Sequence, residues 1–389
     1  MSRITAAIAS GASERVPIAL AHRRILATDA IGRVDQPPAS VSAMDGYAVR
    51  IADADTVPVT LRVIGAAPAG HPFDGHVGPG EAVRIFTGGV LPKGADAIVI
   101  QEDTEAHGDQ VTVRSPARTR HIRVAGLDFR KGDVLAAAGR KLCARDLALL
   151  AAGDIAAVDV RCKPRIAFAA TGDELSSPGA RRRAGGIVAS SGAALAALIE
   201  IWGGEPLDLG ILPDTIEALQ RIPQAASHAD AVVTMGGASV GDHDLVQRAL
   251  EPKGLALDFW KIAMRPGKPL IFGRLNGKPF LGLPGNPVST YVCAILFLQP
   301  LIASLLGLSF LQPLHFARLA NALPANDLRQ DYLRASVVLR DDEWWAEPFA
   351  IQDSSMQSAL AAADALIVRP PRAAAVQKGD RVSIIFLDK

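Results

Sequence analysis

Hydrophobic residues recur along this chain in two different rhythms. From residue 165 onward, short apolar runs alternate with glycine turns and helical segments, as in RIAFAATGDE, SGAALAALIEIWGG, PLDLGILPD and ADAVVTMGG. Strands separated by helical patterns of this length predict parallel βαβ units. Between residues 56 and 113, β-branched runs lie between Gly, Pro and Asp turns, which predicts a small β-rich domain.

The segments outside these two regions complete the predicted architecture. Residues from Val16 to about Ala30 predict one or two helices, and LCARDLALLAAG predicts a helix that ends at Gly153. After Leu314 the pattern becomes β-like again and brackets one helical stretch, SSMQSALAAADAL. The predicted fold class is therefore α/β and multidomain. It comprises an αβα domain with a mostly parallel sheet, a helical N-terminal segment, a β-rich inserted domain and a small C-terminal β domain.

Composition narrows the kinds of ligand and compartment. The 389 residues carry a formal net charge of +1, so no global field favours nucleic acid or an anionic membrane, and any anion site has to be local. The three cysteines, Cys143, Cys162 and Cys293, lie far apart without metal-type spacing, which argues against a disulfide framework or a structural zinc. A reducing cytoplasm is the expected compartment.

One apolar segment raises the question of a membrane span. From Pro279 to Leu314 there is not one charged residue, and by length alone this segment could cross a bilayer. It is interrupted by LPGNP, contains Ser289 and Gln299, and has no close cluster of Lys or Arg. We therefore predict a buried core helix and no membrane span.

Four loops follow predicted strands: TGDEL, ILPD, TMGGASVGDHD and LPGNPVS. Ligands of open α/β sheets gather at the carboxyl ends of the strands, so these loops predict one cleft. In the third loop, Gly236 and Gly237 let backbone N–H groups approach a ligand and Ser239 adds a hydroxyl, which favours a phosphate or similar oxyanion. A tight strand-to-helix turn is the alternative for that loop alone.

Acids mark the same loops. Asp173 and Glu174 come directly after a buried strand, and Asp214 and Asp244 occupy equivalent positions after other strands. Oxygen ligands of this kind suit Mg²⁺, which often bridges carboxylates and substrate phosphates. The alternative for each acid taken singly is a helix N-cap, and for Asp173 or Asp214 alone it is the preferred interpretation. Four acids at one predicted cleft favour the metal.

Two further segments supply cations and a helix start. In WKIAMRPGKPLIF, Pro266 and Gly267 break any helix and are expected to keep Lys261, Arg265 and Lys268 on a loop. Cations beside carboxylates indicate a polyanion bridged by a metal. In LPGNPVS, Asn286 is a predicted N-cap and Pro287 a natural first helical residue, so Ser289 and nearby N–H groups are expected to face the cleft.

Six motifs in order, SAMDGYAVR, RIFTGGVLP, TGDEL, TMGGASVGDHDL, KIAMRPGKPL and GLPGNPVS, resemble the molybdopterin molybdenumtransferases, the family of the bacterial MoeA proteins and the gephyrin E domain. The resemblance implies a dimer and a reaction in which adenylylated molybdopterin and molybdate give molybdenum cofactor and AMP with Mg²⁺ assisting. It also implies four domains: an N-terminal one from residues 1–31 and 127–162, a β-rich one at 32–126, a molybdopterin-binding αβα domain at 163–308 and a β-barrel-like one at 309–389.

The resemblance also assigns residues. Its acidic, catalytic set is Asp45, Thr87, Asp128, Glu174, Asp214 and Asp244, of which Glu174, Asp214 and Asp244 are the candidate Mg²⁺ ligands. Its pterin- and anion-binding set is Gly236, Gly237, Ser239, Gly241, Lys261, Arg265, Lys268, Pro284, Pro287, Ser289, Arg334 and Ser354. Implied partners are a second copy of the chain, the adenylyltransferase that precedes it and downstream molybdoenzymes.

Two rival functions remain open, one of them because of a departure from the family pattern. Where the family usually has an Asp/Asn-Ser-Asn run, this chain reads GGIVASSG, so Ala189 and Ser191 lack the expected carboxylate or amide. A non-catalytic carrier or scaffold for the pterin is therefore one alternative. A molybdopterin adenylyltransferase, which shares the αβα domain, is the other, although SAMDGYAVR and the flanking domains argue against it.

Overall fold

The computed structural model describes residues 11–237 and 245–387 and divides the chain into two compact units. One unit is Ser13–Val160. The other comprises Met1–Ala12 and Arg161–Lys389. Ser239, Gly241 and Asp244, named above as site residues, lie outside the described residues.

The first unit contains twelve strands and one α-helix among its described residues. The strands are β1 (Ser13–Pro17), β2 (Ala30–Ile31), β3 (Val41–Ser42), β4 (Gly46–Val49), β5 (Val59–Ala67), β6 (Glu81–Ile85), β7 (Ala97–Ile100), β8 (Thr104–His107), β9 (Gln110–Val113), β10 (Ile122–Arg123), β11 (Val134–Ala136) and β12 (Ala157–Arg161). The helix is α1 (Ala144–Ala152), and it ends at Gly153 as predicted.

The helices predicted between Val16 and Ala30 are wrong. This segment contains the end of β1, a single 3-10 turn at Ile18–Leu20 and β2. Arg23 has a φ of 63°, which a continuing right-handed helix does not allow. Backbone pairing with distant residues replaces the helix: β1 pairs with β12, and the Leu26 N–H donates to the Arg140 carbonyl at 3.0 Å.

The predicted β-rich domain is a six-stranded sheet in the order β7-β4-β6-β5-β9-β8. Its two faces follow the alternation of side chains along a strand. Tyr47 and Val49 of β4 pack in one apolar cluster with Leu61. Ala48 points to a second cluster with Val83 and Ile98. Both faces of the centre of this sheet are therefore covered.

The second unit begins with the predicted αβα domain. Its strands are β13 (Arg165–Thr171), β14 (Leu175–Ser176), β15 (Ile187–Val188), β16 (Glu205–Leu212), β17 (Ala231–Met235), β18 (Leu255–Trp260), β19 (Met264–Arg265), β20 (Ile271–Leu275) and β21 (Lys278–Leu283). Its helices are α2 (Ser191–Ile201), α3 (Ile216–Leu219), α4 (Ile222–Ala225), α5 (Leu245–Leu250), α6 (Pro287–Cys293) and α7 (Gln299–Leu305), with a π-helix at Ala294–Leu298 between the last two.

The sheet order is β16-β13-β17-β21-β20-β18, and the first four strands are parallel, which confirms the mostly parallel sheet. Ala167, Val232 and Phe280 lie side by side in this register and pack in one cluster with α3, α4 and α5. Phe168, one residue further along β13, points to the opposite face and approaches α2 at Gly192. Helices therefore cover both faces.

The apolar segment after β21 is a helical stretch inside this domain. Among the described residues one continuous helical run, Pro287–Leu305, is long and apolar enough to cross a membrane, and 78% of its most apolar window is buried within the protein. Val292, Leu298 and Ile302 are completely buried. The helix belongs to the core of the αβα domain, as predicted.

The C-terminal domain is a small barrel. Its strands are β22 (His315–Leu319), β23 (Gln330–Arg340), β24 (Glu343–Pro348), β25 (Ala365–Arg369) and β26 (Arg381–Phe386), and its helix is α8 (Gln357–Ala361). The order β23-β24-β22-β26-β25 closes through pairing of β23 with β25. The helix predicted over SSMQSALAAADAL is shorter than expected, because Ala365 and Leu366 pair in β25. Strand β19 joins the two domains by pairing with β23.

Candidate functional site

The carboxyl ends of the parallel strands bring the predicted loops together. The Gly172 N–H after β13 donates to the Leu212 carbonyl of β16 at 3.2 Å, and the Gly236 N–H after β17 donates to the Leu283 carbonyl of β21 at 3.1 Å. A Cβ atom placed on Gly285 would lie 3.3 Å from the Gly236 Cα. The described parts of all four loops therefore lie at one edge of the sheet, which we call the strand edge.

The glycine turn at this edge has a backbone that only glycine adopts without strain. Gly236 and Gly237 have φ values of 95° and 66°, and a Cβ on Gly236 would lie 2.6 Å from the Thr171 carbonyl oxygen. The Thr171 hydroxyl lies close to both positions, is buried, and has no hydrogen-bond partner within the described part of the chain. A buried hydroxyl without a partner is costly, so this cradle fits a polar ligand.

Thr171 is a candidate site residue that none of the motifs predicts. The only sequence signal is its position, a hydroxyl residue at the last position of an apolar strand directly before a glycine. Because a strand-end threonine is also common in ordinary turns, the missing partner of its hydroxyl had to come from the structure.

Three acids meet at the strand edge. The Asp214 N–H donates to the Asp173 carboxylate at 3.2 Å, so the loops after β13 and β16 are joined directly. Partial desolvation of the Asp214 carboxyl, followed by repulsion from Asp173 and Glu174, raises the pKa of Asp214 above its usual value. No group of three or more metal-binding side chains is arranged for a cation within residues 11–237 and 245–387.

The basic segment is a loop closed on itself. The Lys261 N–H donates to the Leu270 carbonyl at 3.0 Å, and the Ile262 N–H donates to the Lys268 carbonyl at 3.2 Å. Lys261 has a φ of 77°, and its ammonium group lies 4.0 Å from the centre of the Trp260 ring. Arg265 was expected on a loop but lies in the short strand β19. Its guanidinium group forms an ion pair with Asp327 of the barrel domain.

The start of α6 is arranged partly as predicted. Asn286 is the N-cap residue and Pro287 lies in the first turn. The Val288 N–H donates to the Ser354 carbonyl at 3.1 Å, and the Asn286 amide donates to the Ser354 hydroxyl at 3.0 Å. Ser354 of the barrel domain therefore lies at this helix start. Ser289, which is expected to face the cleft, is buried and 4% exposed.

Arg334 lies deeper than a surface anion ligand. Its side chain is 1% exposed and donates to the Gln352 side chain at 3.3 Å, to the Met356 carbonyl at 3.1 Å and to the Ile351 carbonyl at 3.5 Å. Burial lowers the pKa of this guanidinium. Arg334 thus holds the segment that carries Ser354, and two of the five N–H groups of an arginine side chain remain without an acceptor among the described residues.

In the first unit, Asp45 and Thr87 form a pair. The Thr87 N–H and hydroxyl both donate to the same Asp45 carboxylate oxygen, at 2.7 and 2.9 Å. These two hydrogen bonds, the backbone one first, lower the pKa of Asp45. Asp128 is exposed, and its N–H donates to the Gln36 carbonyl at 2.9 Å.

The altered GGIVASSG loop also has a defined partner. Ser190 precedes α2, and its hydroxyl accepts a hydrogen bond from the Gln357 amide of α8 at 2.6 Å. The loop that lacks the family's polar run is therefore connected to the barrel domain through a different side chain.

Comparison with known proteins identifies the class of this fold and site. The sequence matches family models described as MoeA N-terminal region (domain I and II) over residues 1–153, probable molybdopterin binding domain over residues 167–304 and MoeA C-terminal region (domain IV) over residues 317–387. The strand edge thus lies in a molybdopterin-binding domain with MoeA regions on both sides.

Complete relatives identify the family. A molybdopterin molybdenumtransferase of Haemophilus influenzae is 37% identical over 370 residues, which cover 94% of this chain and 91% of that protein. One of Nostoc sp. is 39% identical over 306 residues, or 76% of this chain and 70% of that protein. A crystal structure of the molybdopterin biosynthesis MoeA protein of Pyrococcus horikoshii has 32% identity and a TM-score of 0.88 over 100% of this chain and 97% of that one. The chain belongs to the MoeA family of molybdopterin molybdenumtransferases, which confirms the resemblance.

Proposed function

We propose that this chain is a molybdopterin molybdenumtransferase, which inserts molybdate into adenylylated molybdopterin and releases AMP. The proposal rests on one observation, which is that three features belong to the same compact unit. They are the glycine cradle with its unpaired buried hydroxyl, the three acids and the cationic loop. Transferase activity is stated in the names of relatives that match over most of the chain.

The glycine turn is proposed to hold the pterin and its phosphate. Gly236 and Gly237 leave the space beside the turn free of side chains, and the Thr171 hydroxyl lies 3.0 and 3.1 Å from the positions that their Cβ atoms would take. Ser239 and Gly241 continue the same loop and complete this set as sequence predictions. Pro284 and Pro287 shape the neighbouring loop, and Arg334 and Ser354 border it from the barrel domain.

The acids are proposed to hold Mg²⁺ and to position water. Desolvation and then repulsion from Asp173 and Glu174 raise the pKa of Asp214, and a divalent cation would offset that repulsion, so the donor chemistry at Glu174 and Asp214 fits the ion, with Asp244 as a further ligand. Mg²⁺ commonly takes only one or two carboxylates and completes its coordination with water and phosphate. When bound, it would neutralise charge on the phosphoanhydride.

The other proposed site residues position the attacking water, the phosphate and the molybdate. A carboxylate at the strand edge orients the water that attacks the phosphoanhydride and accepts its proton, while Lys261, Arg265 and Lys268 bind oxygens of phosphate and molybdate. Ser289 and Ser354 lie at the start of α6 as hydroxyl donors. Asp45, Thr87 and Asp128 are proposed to belong to the same acidic set. The scheme contains no covalent intermediate with the protein.

The decisive experiment measures AMP release from adenylylated molybdopterin with molybdate and Mg²⁺. We expect turnover by the wild type, and a loss of about 10²- to 10³-fold in Asp214→Asn and Asp244→Ala, since each removes transition-state stabilisation. Asp342→Asn, in the hairpin between β23 and β24, is the matched control and is expected to keep full activity. A wild type that releases no AMP would refute the proposal.

The same experiment distinguishes the transferase from a non-catalytic carrier of the pterin. The departure at Ala189 and Ser191, with Ser190 bound to Gln357, is the observation in its favour. Tight pterin binding without turnover in the wild type would support the carrier. AMP formation would exclude it, while consumption of ATP in the presence of molybdopterin, with release of pyrophosphate, would instead indicate an adenylyltransferase.

Assembly and location remain expectations from the family. We propose a cytoplasmic homodimer that receives substrate from the adenylyltransferase and delivers cofactor to molybdoenzymes. Light scattering of the purified chain tests the dimer directly, and a monomer mass at micromolar concentration would refute it.

A further inference from the structure

A cavity of about 490 Å³ lies between the basic loop and the barrel domain. Its charged lining residues are Lys261 and Lys268 from the loop and Asp327 and Arg329 from the segment before β23. The lining therefore has a formal surplus of two positive charges. Arg329 was assigned no role by the motifs, and neither was Asp327.

Asp327 neutralises two arginines at once. One of its oxygens accepts from both the Arg265 and the Arg329 guanidinium groups, the latter at 3.0 Å. Its other oxygen accepts the Arg329 N–H at 2.8 Å, which closes a short turn. The two lysines have no carboxylate within ion-pair distance in the described residues. Among the described residues that line the cavity, Asp327 is the only acid, and it forms the ion pairs there.

These ion pairs are exposed and therefore exchangeable. The side chains of Arg265, Asp327 and Arg329 are 45%, 48% and 37% exposed. Ion pairs at such exposure contribute little net stability, because water and salt screen them. A doubly charged oxyanion gains more from the same guanidinium groups than a single carboxylate does, and arginine binds tetrahedral oxyanions through two parallel hydrogen bonds.

The segment that carries Arg329 is hydrogen-bonded to the end of β25 through Asn326. The Asn326 side-chain amide donates to the carbonyls of Arg329, Arg369 and Pro370 at 2.8 to 3.0 Å. Behind it, Arg265 also lies 3.4 Å from the buried carboxylate of Asp331. Displacement of the Asp327 oxygen that pairs with both guanidinium groups would therefore leave Arg265 beside a second acid and free the Arg329 side chain, while the other Asp327 oxygen still accepts the Arg329 backbone N–H.

We propose that Arg329 is a further ligand of a tetrahedral oxyanion bound with Lys261 and Lys268, and that Asp327 is the internal carboxylate which this oxyanion displaces. The inference rests on the proposed function, since it extends the cationic half of that site to the barrel domain. The shared chemistry is a tetrahedral oxyanion, with molybdate and a phosphate group as its two sources.

The test is calorimetric titration of the full chain with sodium molybdate, with inorganic phosphate and with AMP. Arg329→Ala is expected to weaken binding about tenfold, because a charge-assisted hydrogen bond is lost. Arg329→Lys keeps the charge and is expected to lose only about threefold. Asp327→Asn keeps the acceptor for the Arg329 N–H and is expected to bind about threefold to tenfold more tightly. The probe that responds identifies the source.

A surface pair in the same barrel is the matched control. Arg318 and Glu343 form an ion pair with 42% and 52% exposure, and Arg318→Ala and Glu343→Gln are expected to bind the probes as the wild type does. If Lys261→Ala weakens binding but Arg329→Ala and Asp327→Asn do not change it, the inference is wrong and the proposed function stands. If the wild type binds none of the probes, the cationic half of the proposed function fails together with the inference.

Discussion

Asp45 and Asp214 are both assigned to the acidic set, yet their surroundings are opposite. Asp45 accepts two hydrogen bonds from Thr87, which favour its ionised form and lower its pKa. Asp214 is partly desolvated beside Asp173 and Glu174, which disfavours its ionised form and raises its pKa. The folded structure therefore stabilises the charge of Asp45 and destabilises the charge of Asp214. Acids whose ionised form is destabilised in the folded protein are the better candidates for binding a cation or transferring a proton.

The largest expected effect concerns the cradle beside Asp214. In Gly236→Ala the new Cβ would lie 2.6 Å from the Thr171 carbonyl at a φ of 95°, so we expect a loss of about 3 kcal/mol in the free energy of unfolding. Gly179→Ala is the matched control, because its φ is 80° but nothing lies near the added atom. It should cost only about 1 kcal/mol. Urea unfolding followed by tryptophan fluorescence measures both, and equal losses would show that the close approach at Gly236 is wrong.

The second prediction uses pH to separate the two acids, in metal-free buffer. The pKa of Asp45 is lowered from 3.8, so its contribution to stability is complete above that pH and is lost as the pH falls below it. Asp45→Asn should therefore be less stable than the wild type at pH 7, with a difference that shrinks below pH 3.8.

Asp214→Asn should behave in the opposite way. The pKa of Asp214 is raised above 3.8, so its ionisation destabilises the folded state as the pH rises through the raised value. The variant should be more stable than the wild type at pH 7 and equal to it near pH 3.8. Urea midpoints across this range measure both differences. Differences of the same sign at pH 7 would contradict the comparison.

The smallest effect separates the two hydrogen bonds of the Asp45 pair. Thr87→Val removes the hydroxyl donor and keeps the backbone N–H, and because this hydrogen bond is exposed we expect only a small decrease in the free energy of unfolding. Thr87→Ser retains the hydroxyl and should lose less. The thermal midpoint measures the series, and a Thr87→Val protein as stable as the wild type would show that the hydroxyl bond adds nothing.

Sequence reasoning located much of the strand edge because its signals are local. Strand length, glycine turns and helix spacing predicted parallel strands joined by helices. Parallel strands place their carboxyl ends at the same edge of a sheet. The contact between Asp173 and Asp214, 41 residues apart, follows from that rule. The helix Pro287–Leu305 was predicted to be buried from its lack of charge and its interruptions, and it is.

Other features depended on partners that the sequence does not reveal. The pattern after Val16 resembles a helix, but β1 pairs with β12 more than 130 residues away. An arginine such as Arg334 is a typical anion ligand. Only the folded barrel domain reveals that its side chain is buried and donates to three acceptors. No motif predicts that Arg265 meets Asp327, which is 62 residues distant.

By itself, the sequence of this protein determined the αβα rhythm, the buried helix, the family and the positions of the glycine and acidic loops. These depend on side-chain periodicity and backbone preference over a few residues. The tertiary structure decided which charges are neutralised, which hydroxyl lacks a partner and which residues of the barrel domain border the cationic loop. Such properties depend on distances between segments far apart in the chain, and burial and charge pairing act only once folding has brought those segments together.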